Sequence, residues 1–112
     1  MKFHLRIRPR AIIDVNEAAA YIASDSVEHA LRSYEAVDST YRVILRSPSA
    51  WPLFTTSQEL PLSGLRRRAV TGFANYLVLY CVDGQVIDVV RVIHAARDLP
   101  AVLARDIEPE PE

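Results

Sequence analysis

The chain is short of several things that whole classes of protein need. Among its 112 residues there is one cysteine, Cys81, so no internal disulfide can form and no second thiolate is at hand for a structural zinc. A phosphate-cradling loop needs clustered glycines, and the three present, Gly64, Gly72 and Gly84, are scattered, which argues against a nucleotide cofactor. The longest apolar run, Tyr76 to Val82, falls far short of the roughly 20 residues a spanning helix requires. No apolar leader opens the chain either, so membrane insertion and secretion are not expected and a reducing cytoplasm fits. His4, His29 and His94 lack metal-ligand spacing. No metal or cofactor is expected.

Lysine is nearly missing too: Lys2 is the only one, against twelve arginines. The net charge of −1 hides an uneven distribution, because Asp106, Glu108, Glu110 and Glu112 crowd into the last seven positions. Residues 1–105 alone carry a balance of +3. A chain of this length buries one small domain's worth of surface, so we expect a single domain over residues 1–105 and an acidic, disordered tail over 106–112.

Hydrophobic periodicity supplies the elements. Phe3, Leu5 and Ile7 alternate with Lys2, His4, Arg6 and Arg8, the pattern of a half-buried strand with a basic outer face. Pro9 can open a first helix, whose apolar face would be Ile12, Val15, Ala19 and Ile22. Asp25 followed by Glu28 makes a capping-box pattern for a second helix ending near Arg46, with Val27, Leu31, Tyr34, Val37, Tyr41, Ile44 and Leu45 inward. The short connection makes these two an antiparallel hairpin. After an irregular Pro-rich stretch from Ser47 to Ser63, strands are expected at Leu65–Val70, Tyr76–Val82 and Gln85–His94. Asp83-Gly84 reads as a two-residue type I′ turn, which pairs Leu77 with Val90 and Tyr76 with Arg91. A short helix follows from about Asp98 to Arg105. The fold class is α+β: βααβββ with a short C-terminal helix, an antiparallel sheet packed on an N-terminal helical hairpin. Both sheet faces are apolar, so the face away from the hairpin must be covered by the irregular segment, the C-terminal turn or a partner.

Three places could carry chemistry. Arg66, Arg67 and Arg68 put cations on both sides of a strand, suited either to phosphate contacts or to a solvated strand start. Arg91 and His94 close the last strand, with Arg97 and Asp98 just beyond. A cation beside a histidine at a strand end suits binding or acid–base work, while Arg91 stacked on Tyr76 and Asp98 capping the last helix are the structural alternatives. Cys81 with His94 is formally a nucleophile pair, but a thiol in an apolar run is better read as core.

The stretch from Gly64 to Leu103 holds Gly64-Leu65-Arg66-Arg67, Val70, Gly72-Phe73, Tyr76 to Tyr80, Val89 to His94 and Arg97-Asp98-Leu99. With Pro9-Arg10-Ala11, Asp14 and Tyr21-Ile22-Ala23 upstream, it resembles the ParE branch of the RelE/ParE toxin superfamily. Ala95 departs where relatives often have glycine. The resemblance implies a cytoplasmic, plasmid-stabilisation type of toxin, neutralised by a cognate ParD-like antitoxin in a toxin–antitoxin hetero-oligomer. The chain itself would make no direct sequence-specific DNA contact. ParE-like members inhibit growth by poisoning DNA gyrase, whereas RelE-like members cleave mRNA on the ribosome, which would here use Arg67, Arg91 and His94. Arg66, Arg68, Tyr76, Tyr80 and Arg97 would then serve binding. The weakly basic body and the lack of any tyrosine after Tyr80 favour a non-enzymatic gyrase inhibitor over a nuclease. A module that retains only antitoxin binding is the third reading.

Overall fold

The computed structural model describes residues 2–55, 62–97 and 99–106. The elements follow in the order β1 (His4–Ile7), α1 (Pro9–Ala23), α2 (Val27–Arg46), β2 (Arg66–Val70), β3 (Phe73–Asp83), β4 (Val86–His94) and α3 (Leu99–Asp106). This is the expected α+β order. Asp106 closes α3 one residue past the expected body, and the rest of the acidic tail, residues 107–112, and the proposed Asp98 cap lie outside the described residues.

Strand order in the sheet is β1-β4-β3-β2. β2, β3 and β4 are antiparallel neighbours, but β1 runs parallel to β4, pairing His4 with Val86 and Ile7 with Val89. The sheet is therefore mixed rather than purely antiparallel. β1, β2 and β4 share one direction, so between α2 and β2 the chain must cross back to the end of the sheet at which these strands begin, and it does so at the edge opposite β1. The irregular segment is long because it makes that return, and Phe54 N–H to Leu65 O and Arg67 N–H to Pro52 O lay part of it along the free edge of β2.

Two local features differ from the sequence reading. The cap of α2 is Ser26, whose hydroxyl accepts from His29 N–H at 3.1 Å, so the cap sits one residue after Asp25. In the β3–β4 hairpin Asp83 pairs with Val86, making Gly84-Gln85 the central residues. Gly84 has φ of +58° and Gln85 does not take a positive φ, which is the pattern of a type II′ turn with glycine first, not type I′. Register therefore shifts, and it shifts again at a bulge where Val90 is extra opposite Leu79. Tyr76 now faces His94, and Leu77 faces Ile93.

Each sheet face has its own core. On the hairpin side Val78, Tyr80, Val89 and Val92 pack with Val37, Tyr41 and Ile44 of α2 and Ala11 of α1. Thr40 locks α2 to the β2–β3 turn, its hydroxyl accepting from Thr71 N–H at 3.0 Å while donating to Ala36 O. On the other side Leu79, Val90 and Ile93 are covered by Leu65, by Leu99, Val102 and Leu103 of α3, and by Phe54 and Leu62. The irregular segment and the C-terminal helix thus close the second face together.

The hairpin buries Ala19, Val37, Tyr41 and Ile44 of the expected faces but turns other large residues of those faces outward. Ala11, Asp14 and Ala19 of α1 and Ala30 and Ser33 of α2 are inward, whereas Ile12, Ile13, Val27, Leu31 and Tyr34 are exposed, Leu31 by 62%. Small side chains let two helices approach closely, and the bulky ones are turned outward as a result. Tyr34 Oη donates to Asn16 Oδ1 at 2.8 Å across the outside of the hairpin.

The basic face of β1 is neutralised from within the sheet. Asp88, 3% exposed, accepts from Arg8 at 2.8 Å and from Arg6 at 3.1 Å. Burial alone would push its carboxyl up, but the bonds from the two guanidinium groups outweigh it and hold it below the usual carboxylate range. The same contact with Asp88, opposed by burial, keeps Arg8 more firmly protonated. A depressed carboxyl stabilises the fold above pH about 4 and stops doing so as pH falls through the lowered value. Asp88→Asn should cost about 2 kcal/mol at pH 7. Urea unfolding measured from pH 7 to 3 should also show a shallower acid loss of stability in the variant than in the native chain.

Candidate functional site

β1 pairs with β4 only as far as Val89, yet β4 continues to His94. Beyond that point α1 lies against the strand edge and Asp14 fills the vacancy. Its Oδ2 accepts from Val92 N–H at 3.0 Å and from Arg91 Nε at 2.7 Å, and its Oδ1 accepts from Arg91 Nη2 at 2.9 Å. Both residues are buried, Asp14 at 5% exposure and Arg91 at 1%. A bidentate pair of this kind fixes the crossing of α1 over β4. Arg10 adds a longer contact to Asp14 at 3.7 Å.

Above the buried pair, two clefts of about 430 and 570 Å³ meet where the tip of the hairpin overhangs the end of the sheet. Tyr21, Tyr76 and His94 line both, Arg97 and Glu17 the first, and His29, Asp25 and Asn75 the second. His94 stands edge-on to Tyr76, ring centroids 5.0 Å apart. Burial, and next the proximity of Tyr21, raise the Tyr76 phenol above its ordinary range, so it is a proton donor rather than a base.

The residues singled out from sequence therefore fall into separate groups. Tyr76, His94 and Arg97 converge on the clefts. Arg91 lies beneath them with its guanidinium turned to Asp14, and the alternative of stacking on Tyr76 is replaced by His94 because of the register shift. Arg66, Arg67 and Arg68 are on β2 at the far edge of the sheet. Arg66 donates to Trp51 O at 2.6 Å, Arg68 stacks over the Trp51 ring at 4.4 Å and bonds to Ala69 O, and Arg67 is exposed. Tyr80 is fully buried and donates from Oη to Pro48 O at 2.6 Å, so it pins the irregular segment to the core. Cys81 lies among the apolar residues of the second face. Among the described residues no group of histidine, cysteine, aspartate and glutamate side chains could hold a metal ion, and no helix is long and apolar enough to cross a membrane.

Asp14 and Asp88 are the residues sequence reasoning passed over. Each was signalled by a carboxylate standing in an otherwise apolar pattern, Asp14 between Ala11 and Ala18 on a helix and Asp88 inside an apolar strand. Such a position requires a cation close by.

A family model described as the ParE toxin of the type II toxin–antitoxin system parDE matches residues 5–99. The chain belongs to the ParE toxin family. A solved chain of the chromosomal ParDE toxin–antitoxin system from P. aeruginosa superposes with a TM-score of 0.67 at 14% identity, covering 83% of this chain and 96% of that one. That likeness concerns the fold. No curated protein sequence matches. As a ParE toxin of a type II system, the chain has an antitoxin as its partner, and the matched span runs from β1 to the first residue of α3.

In this ParE chain the two core tyrosines have a measurable signature. Burial pushes both Tyr41 and Tyr80 up to about 12, for Tyr41 with help from Asp14 and Asp38 and for Tyr80 with partial relief from Arg66. A phenol raised in the folded state stabilises it at neutral pH, and that contribution is lost as pH climbs from about 10 through the raised value. Tyr80→Phe should cost about 1–2 kcal/mol, because the Pro48 carbonyl loses its donor. Arg67→Ala should stay within about 0.5 kcal/mol of the native chain in the same urea unfolding experiment.

Proposed function

We propose that this ParE toxin inhibits growth in the cytoplasm by binding DNA gyrase, without cutting RNA itself, and that its antitoxin neutralises it by docking on the outer face of the α1–α2 hairpin. The observation that carries the first part is the buried Asp14–Arg91 pair. Stabilising a cyclising phosphate needs a guanidinium free to meet the substrate, and Arg91 is 1% exposed with two bonds to a carboxylate. Arg67 and His94, the other members of a nuclease set, are separated by β3 and face different surroundings. The weakly basic body supports the same reading, because a ribosome-directed enzyme must approach a dense array of phosphates.

The docking surface follows from what the fold leaves bare. The second sheet face is occupied by α3 and the irregular segment, and among the described residues most of the large apolar side chains left exposed are on the hairpin, with Leu53 and Val82 elsewhere. Ile12 of α1 and Tyr34 of α2 line a groove with Val15, Asn16, Val37 and Tyr41, Ile13 is exposed next to Ile12 in the chain, and the exposed Val27 and Leu31 share the helical stripe of Tyr34 at spacings of four and three. An amphipathic antitoxin helix laid along that stripe would bury it. The arginines of β2 are less suited to an acidic partner, since Arg66 and Arg68 are held by Trp51.

The convergence of Tyr76, His94 and Arg97 favours the alternative, a ribosome-dependent nuclease, and one experiment separates the two. Toxin freed of antitoxin should inhibit gyrase supercoiling and leave ribosome-bound mRNA intact. Cleavage that is abolished by His94→Ala, with supercoiling unaffected, would reverse the assignment. A protein that binds antitoxin but affects neither target would be a module that has lost toxicity. For the docking surface, Ile12→Glu with Leu31→Glu should weaken antitoxin binding at least 100-fold, on the order of two lost hot spots, while the unfolding midpoint stays unchanged. Binding that survives this pair but is lost on Arg67→Glu would place the antitoxin on β2.

A further inference from the structure

We propose that His94 is a proton-sensitive latch on α3: its neutral ring closes the turn that launches the helix, and uptake of a proton at Nδ1 opens it. The inference concerns the C-terminal helix and is independent of the toxin's target. Ala96 N–H donates to His94 Nδ1 at 3.0 Å. The ring nitrogen thereby does what an asparagine or aspartate side-chain oxygen does when it accepts from the N–H two residues on and closes a turn. In the neutral ring the remaining proton is then on Nε2. Two main-chain bonds complete the structure, Ala95 N–H to Asn75 O at 2.7 Å and Arg97 N–H to His94 O at 3.1 Å. Tyr76 holds the ring from the side.

What the turn controls is the cover of the second sheet face. Leu99, Val102 and Leu103 of α3 are buried against Leu65, Leu79, Val90 and Ile93, and α3 begins two residues after Arg97 in the chain. An imidazolium carries N–H groups on both nitrogens, so Nδ1 would confront the Ala96 N–H with another donor. The closed turn and the protonated ring exclude each other. The charged and titratable groups around the ring are Tyr76 from β3, Tyr21, Glu17 and Asp14 from α1, Asp25 from the helix connection, His29 from α2 and the neighbouring Arg97. Asp14 is engaged by Arg91 and Glu17 by Arg10 at 3.5 Å. The ring is half-buried at the cleft. Protonation of the ring should therefore raise the open population of α3 about fivefold, the worth of one neutral hydrogen bond.

Nuclear magnetic resonance of the full chain tests this. At pH 8 the His94 ring should be the Nε2–H tautomer, and amide-exchange protection factors of Ala96, Val102 and Leu103 should fall about fivefold between pH 7.5 and 5.5. His94→Asn keeps an acceptor for the Ala96 N–H but does not titrate, so its protection factors should be flat over that range. His29→Asn should behave as the native chain. The latch is overturned by an Nδ1–H tautomer, by flat protection in the native chain, or by the same pH dependence in His94→Asn. Should His94→Asn fail to fold, the native tautomer and the native protection factors decide between latch and no latch by themselves.

Discussion

Where β1 stops, β4 runs on for five more residues, and the rest of the architecture depends on what meets that bare strand edge. Asp14 meets it. One carboxylate accepts from the Val92 main chain as a further strand would, and with the same two oxygens holds the Arg91 side chain that the bulge at Val90 has turned towards α1. An unsatisfied N–H or an isolated guanidinium at that depth would each be costly, so the three groups stabilise one another only in combination. The pair fixes how α1 crosses the sheet. Through α1 it also sets the overhang of the hairpin tip and the clefts beneath it.

The same economy of space explains the distribution of apolar surface. Alanine and serine at the inner positions of the hairpin let its helices close on each other, and the bulky residues that the helical period alone would have sent inward are turned out. A soluble chain seldom leaves isoleucine, valine, leucine and tyrosine together on one face without a partner to cover them. On the far side of the sheet the opposite holds. There α3 and the irregular segment fill the apolar face from within the chain, which removes the surface on which an open, cation-lined site could be built.

Much of this was legible in the sequence because periodicity, prolines and turn glycines act locally. The order of elements, the limits of α1 and α2 and the existence of the β3–β4 hairpin all follow from such signals. Its register did not, because the turn begins one residue later than Asp83-Gly84 suggests and a bulge at Val90 adds a second offset. Those two displacements move Tyr76 from Arg91 to His94, and so change which side chains share the cleft. The inward face of the hairpin was legible at Ala19, Val37, Tyr41 and Ile44 but misjudged at Ile12, Val27, Leu31 and Tyr34, because hydrophobicity ranks Ile12 and Leu31 above Ala11 and Ala30 while the space available ranks them the other way. Asp14 was visible among the residues that resemble the ParE family, yet its role depends on a strand edge about 80 residues away that no local pattern reveals.

In the proposed function Arg91 is a structural partner of Asp14 and not a residue free to act on a substrate. A double-mutant cycle with Asp14→Asn and Arg91→Met, read by urea unfolding at pH 7, tests it directly. Asparagine keeps an acceptor for Val92 N–H, so the cycle isolates the ion pair. A coupling energy of about 2 kcal/mol or more is expected for two buried groups joined by two charged hydrogen bonds. Single variants that each cost less than about 0.5 kcal/mol and combine additively would contradict it.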